Sequence, residues 1–132
     1  MLQTSTVEEH TLVLLKAMQK SPLLSEMRLV GGTALALQLG HRFSIDLDFF
    51  GVFEASTIDI IDEFTPQGFD VIIKRDTKAI KMLYVNKIKV DIVNYPYVWI
   101  EPAIETEGVI MAGLKDIAAM KLSAITNRGT RK

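Results

Sequence analysis

With 132 residues, 48% of them hydrophobic and 23% charged, the chain has the composition of one ordinary globular domain, not of a disordered segment. Its 15 Lys and Arg against 16 Asp and Glu leave a net charge of −1, so no global field draws it toward nucleic acid or an anionic membrane. Cysteine is absent, which excludes a disulfide scaffold, a Cys-ligated zinc site and a cysteine nucleophile.

In chain order, Thr4 or Ser5 caps a first helix with Glu8 and Glu9 in its opening turn. Leu12, Leu15 and Met18 form its apolar stripe, and Ser21-Pro22 ends it. No cationic leader with a cleavage site opens the chain, and no run approaches the roughly 18 apolar residues of a membrane span. The expectation is a cytoplasmic protein that does not enter a membrane. Met27 to Val30 reads as a short strand. Gly31-Gly32 breaks it, and Thr33 to Leu39 reads as a helix closed by Gly40. Ile45 to Phe50 alternates as a strand, and Ser56 to Phe64 is a capped helix.

Three strand-like runs follow, Phe69 to Arg75, Ala79 to Val85 and Lys87 to Val93. Asp76-Thr77 and Asn86-Lys87 are their turns, which makes an antiparallel meander. A loop with Pro102 and Gly108 leads to a final helix over Leu114 to Asn127. Helices at both ends and between strands predict an α/β or α+β fold with a mixed sheet flanked by helices.

The chemistry gathers around Asp46 and Asp48. Residues two apart on a strand share a face, so Ile45, Leu47 and Phe49 turn inward and the two carboxylates stand together. Paired hard oxygen ligands suit Mg²⁺ or Mn²⁺, with substrate phosphates completing the shell. Gly31-Gly32-Thr33 opens a helix, where close backbone approach and free N–H groups suit a phosphate. Asp91 lies on the face of its strand opposite Ile88, Val90 and Ile92. If that strand neighbours the acidic one, three carboxylates converge.

The last helix is anomalous. With Leu114 at zero and about 100° per residue, Lys121 falls at about 340° and Arg128 at about 320°, among Ile117, Ala118 and Ile125. Cations in an apolar stripe reach for a carboxylate or a phosphate; snorkelling to solvent is the alternative.

Other residues are weaker candidates. His41 and Arg42 precede the acidic strand, where they can meet a phosphate or position the loop. His10 reads as a surface residue, and Ser44 has no evident base beside it. Tyr95, Tyr97 and Trp99 read as core or interface. Lys74, Arg75, Lys78, Lys81, Lys87 and Lys89 make the meander basic, which is a solvated face or a track for a nucleic-acid backbone.

The block Val30-Gly31-Gly32-Thr33-Ala34-Leu35-Ala36-Leu37, followed by His41-Arg42-x-Ser44-x-Asp46-Leu47-Asp48-Phe49-Phe50, resembles the signature of the AbiEii-type toxin family. These are nucleotidyltransferase-like proteins of abortive-infection and toxin–antitoxin systems. Lys115 to Ile125 with Arg128 resembles a second family segment, and the resemblance spans about residues 27 to 128. It implies a nucleotidyltransferase fold, a nucleoside triphosphate and Mg²⁺ or Mn²⁺. It implies Asp46, Asp48 and Asp91 as metal ligands and catalytic carboxylates, with Asp91 placed by its strand position. Gly31, Gly32 and Thr33 match the phosphate-holding turn; Arg42, Ser44 and Arg128 join them in nucleotide binding, and Lys121 matches a lysine that contacts nucleotide or assists catalysis.

The implied acceptor is a hydroxyl of an RNA 3′ end or of a protein, and the implied partner is a cognate antitoxin. The family continues into a longer, mostly helical C-terminal region, whereas this chain stops at Arg131-Lys132. The expectation is one domain over residues 1–132, truncated relative to that region. Two other readings compete with the enzyme: a non-catalytic nucleotide- or partner-binding module of the same fold, and a metal-dependent phosphodiesterase.

Overall fold

The computed structural model describes residues 8–40 and 46–120. Its frame is a mixed seven-stranded sheet with α-helices, in agreement with the expected class. The helices are α1 (Glu9–Lys20), α2 (Gly31–Leu39), α3 (Thr57–Phe64) and α4, which is described over residues 114–120. The strands are β1 (Arg28–Val30), β2 (Leu47–Gly51), β3 (Val71–Asp76), β4 (Ile80–Val85), β5 (Ile88–Asn94), β6 (Ile104–Thr106) and β7 (Val109–Met111). Their order in the sheet is β3-β4-β5-β2-β1-β7-β6. The meander β3-β4-β5 is antiparallel, as its turn residues predict. Asn86 and Lys87 both adopt positive φ, the conformation a tight two-residue hairpin needs.

β2 and β5 run parallel at the centre of the sheet, and β1 runs antiparallel to β2. Strand alternation then sorts the side chains. Leu47, Phe49, Leu83, Val85, Val90 and Ile92 are buried, in one core with Leu14, Leu15 and Met18 of α1 and Ile60 and Phe64 of α3. The intervening positions Asp48, Phe50, Met82, Tyr84, Lys89 and Asp91 are only half buried. One face of the sheet is thus closed by helices and the other stays partly open.

Capping chemistry sets the helix ends. Ser56 and Asp59 form a reciprocal capping box on α3, and Gly40 closes α2 in the left-handed conformation. α2 begins at Gly31, two residues earlier than the apolar pattern indicates, so both glycines lie in its first turn.

Three expectations need correction. The N-cap of α1 is Glu8, without a side-chain cap bond, instead of Thr4 or Ser5, which lie outside the described residues. The stretch with Pro102 and Gly108 is not a plain loop, because it folds into the β6–β7 hairpin around Glu107 and Gly108, both at positive φ. The stripe of α4 is also not centred on Leu114. Leu114 and Ala118 are exposed, while Asp116 and Ile117 are buried and Met120 packs partly against the core. The reason is Asp116. Its carboxylate accepts from the N–H groups of Ile100 at 2.7 Å and Glu101 at 3.0 Å, which turns a charged position inward. In return the Glu101 carboxylate accepts from the N–H of Lys115 at 3.0 Å, at the start of α4. Arg28 of β1 donates to the Glu101 carbonyl and stacks on Trp99, 4.5 Å from the ring centre.

Asp116→Ala leaves those two N–H groups without their acceptor and should cost about 3 kcal/mol of stability. Urea unfolding of the variant against wild type measures it; an unchanged midpoint would show that the clamp contributes nothing.

Candidate active site

Parallel pairing of β2 with β5 places Asp48 directly opposite Asp91. The strands are neighbours as the convergence required, but it is two of the three carboxylates, Asp48 and Asp91, that the register sets opposite each other. Like charges at adjacent positions repel, and burial deprives them of water. Burial, then the nearby Asp91 carboxylate and a hydrogen bond with it, push the Asp48 carboxyl up to about 6; Asp46 adds to the shift and Lys89 opposes it. Among the described residues the buried Asp91 Oδ1 has no hydrogen-bond partner. Its Oδ2 lies 3.6 Å from the Lys89 ammonium. Asp46 sits just before β2 and is exposed. Among the described residues no set of three acidic, His or Cys side chains is assembled closely enough to hold a metal ion.

The glycine turn stands against this pair. Val30 lies opposite Asp48, and Gly31 follows with φ +74°. A Cβ on Gly31 would come within 2.6 Å of Asp48 Oδ2, so the position demands glycine twice: for its dihedral and for the carboxylate above it. Gly32 and Thr33 continue the first turn of α2. The Thr33 side chain is fully buried and its hydroxyl donates to the Asp46 carbonyl. That bond ties α2 to the approach of the acidic strand. His41, Arg42, Ser44, Lys121 and Arg128 lie outside the described residues.

Three features escaped the sequence reading. Lys89 reaches Asp91, a contact foreshadowed by their same-face spacing of two. Tyr84 lies opposite Lys89, on the open face. His10, read as a surface residue, lines with Asp46, Tyr84, Lys87 and Lys89 a cleft of about 440 Å³.

Residues 13–132 match the family described as nucleotidyl transferase AbiEii toxin, type IV TA system. The chain belongs to the AbiEii family. It is 34% identical over 120 residues to an uncharacterized protein of Aquifex aeolicus (strain VF5), covering 82% of this chain and 54% of that one. Its fold is similar to that of JHP933 from Helicobacter pylori, with TM-score 0.55, 24% identity, and coverage of 89% of this chain and 58% of that one. It is similar also to the Megavirus polyadenylate synthase, with TM-score 0.58, 16% identity, and coverage of 93% and 29%. The chain thus spans about half the length of the curated relative it matches. Among the described residues no helix is long and apolar enough to cross a membrane.

Two predictions follow from the carboxylate pair. Gly31→Ala should cost about 2 kcal/mol or more, from left-handed strain plus the collision with Asp48. In an Asp48→Ala background the cost should fall to about 1 kcal/mol, the strain alone. Equal costs in both backgrounds, measured in urea, would disprove the contact. The second concerns pH. The folded pKa of Asp48 is raised, so its stabilising contribution is complete below about pH 4 and is lost as pH climbs through about 6. In chelator, Asp48→Asn should therefore gain on wild type across that window, by on the order of 2 kcal/mol at neutral pH after discounting for partial exposure. A gap that stays constant with pH would contradict the raised value.

Proposed function

We propose that this chain carries the catalytic centre of a metal-dependent nucleotidyltransferase, which moves a nucleotidyl group from a nucleoside triphosphate to a hydroxyl acceptor. The observation that carries the reading is the register of β2 and β5, which sets Asp48 beside Asp91 with the glycine start of α2 against them. Asp48 and Asp91, with Asp46 approaching from the strand's start, are the residues to hold Mg²⁺ or Mn²⁺. The fit rests on two crowded carboxylates and on the Oδ1 of Asp91, which is unpartnered among the described residues. Magnesium characteristically takes one or two carboxylates and completes its shell with substrate phosphates and water. When bound, the ion supplies charge neutralisation and Lewis acidity at the transferred phosphate.

The chain's own groups do the rest. The N-terminal turn of α2 at Gly31 and Gly32 directs N–H groups and the positive end of the helix dipole at the triphosphate. Asp91 accepts the proton of the attacking hydroxyl. The acceptor oxygen then bonds to the α-phosphorus, the bond from that phosphorus to the α–β bridging oxygen breaks, and pyrophosphate leaves with the electron pair. In this reading Arg42, Ser44 and Arg128 add nucleotide contacts, and Lys121 adds a cation. The family's description supports a role as the toxin of a pair with a cognate antitoxin, acting where nucleoside triphosphates are abundant, in the cytoplasm.

Incubation with each α-³²P-labelled nucleoside triphosphate, Mg²⁺, and total RNA or total protein should yield covalent label. Asp48→Asn and Asp91→Asn should each cut that label at least about a hundredfold while circular dichroism stays native. Undiminished labelling by either variant would overturn the reading.

A further inference from the structure

Phe50 follows Asp48 by two residues on β2, so it shares the partly open face of the sheet and lies about 7 Å further along the strand. Register fixes its row: Arg28 of β1 stands on one side of it, and Val93 of β5 with Ile80 of β4 on the other. All four are half buried. Because β1 runs antiparallel to β2, the chain leaves Val30 for Gly31 and α2 in the direction away from Phe50. The carboxylate pair thus has the glycine turn at one end and the Phe50 row at the other.

Rings collect at that second row. Tyr95 packs on Phe50 with ring centres 5.5 Å apart, Trp99 lies 4.9 Å from Tyr95, and Tyr97 meets Tyr95 edge-on at 5.1 Å. Phe50 and Trp99 pack partly against the core, yet both keep open surface, Tyr95 is half buried and Tyr97 is exposed. The guanidinium of Arg28 is engaged by Trp99 and the Glu101 carbonyl. Phe50, Val93, Ile80 and the rings carry no charge. This shelf therefore suits the flat, uncharged part of a nucleotide and not its phosphates, and a ring face takes a base at a low cost in side-chain entropy.

A triphosphate whose outer phosphates sit at the α2 turn and whose α-phosphate sits at Asp48 and Asp91 carries its sugar and base beyond the pair, away from the turn. One sugar separates that phosphate from the base, and one step between rows separates the carboxylates from Phe50. We infer that the shelf of Phe50, Val93 and Tyr95 seats the base of the nucleoside triphosphate. This rests on the transfer reading above and adds to it which way the nucleotide lies and which residues hold its base.

Trp99 is the chain's one tryptophan, so its emission reports on the shelf. The test titrates the whole chain, in Mg²⁺, with each of the four α,β-methylene nucleoside triphosphates and with tripolyphosphate, which lacks sugar and base. Calorimetry gives the affinities and Trp99 fluorescence gives the place. The nucleotides should change the emission, while tripolyphosphate should bind and leave it unchanged. Tyr95→Leu and Phe50→Leu should each weaken the best-bound nucleotide about tenfold and leave tripolyphosphate affinity as it was, and Tyr95→Phe should bind like wild type. The inference is overturned if no nucleotide binds more tightly than tripolyphosphate, if the leucine variants bind nucleotide like wild type, or if they lose both ligands alike, which would give the rings a folding role only. The two levels separate cleanly. Failure of wild type to bind nucleotides and tripolyphosphate would sink the transfer reading and the shelf together, whereas equal binding of both sinks the shelf alone.

Discussion

Two carboxylates held side by side are the constraint around which this domain is arranged. Asp48 and Asp91 occupy facing positions of two hydrogen-bonded parallel strands, and neither can move away without breaking the register of the central sheet. Their repulsion, sharpened by burial, is what forces the Asp48 carboxyl up to about 6. An isolated domain gains nothing from such a pair. The expense is offset by the core on the opposite face, where Leu47, Phe49, Val90 and Ile92 of the same two strands are buried. Strand alternation thus lets one element serve stability with its odd or even positions and chemistry with the others.

The rest of the site adapts to that pair. Gly31 is glycine because the Asp48 carboxylate fills the place of its side chain. Thr33 spends its hydroxyl on the Asp46 carbonyl, so α2 and the approach to β2 are joined by a side chain instead of by sheet pairing. Lys89 balances part of the negative charge from within β5. The site is therefore a junction of β1, β2, β5 and α2.

A second set of contacts braces this junction from β1. Arg28 sits opposite Phe50 and covers Trp99, and Tyr95 packs against both Phe50 and Trp99 at ring separations of 5.5 and 4.9 Å. Through Glu101 and the buried carboxylate of Asp116, the same bracing reaches the first turn of α4. β1 therefore joins the brace at Arg28 to the glycine turn at Gly31, three residues away.

Much of this was legible in the sequence because it depends on local rules. Period-two alternation identified β2, β4 and β5, the Asn86-Lys87 turn ordered the meander, and the glycines and Asp-x-Asp spacing marked the site and its family. What the sequence could not settle depends on partners far away along the chain. That β5 lies beside β2, which brings Asp91 to Asp48 across 42 intervening residues, is a property of sheet order, and a strand does not name its neighbour. The burial of Asp116 leaves no trace in hydropathy, which counts charge and not acceptance; the N–H groups of Ile100 and Glu101 make that burial favourable. The β6–β7 hairpin was hidden because its strands are three residues long, too short for alternation to register. The sequence by itself determined which residues are the candidates for the chemistry and which face of each central strand they occupy. The tertiary structure decided which of them meet, because meeting is set by strand order and by long-range hydrogen bonds that no local pattern encodes.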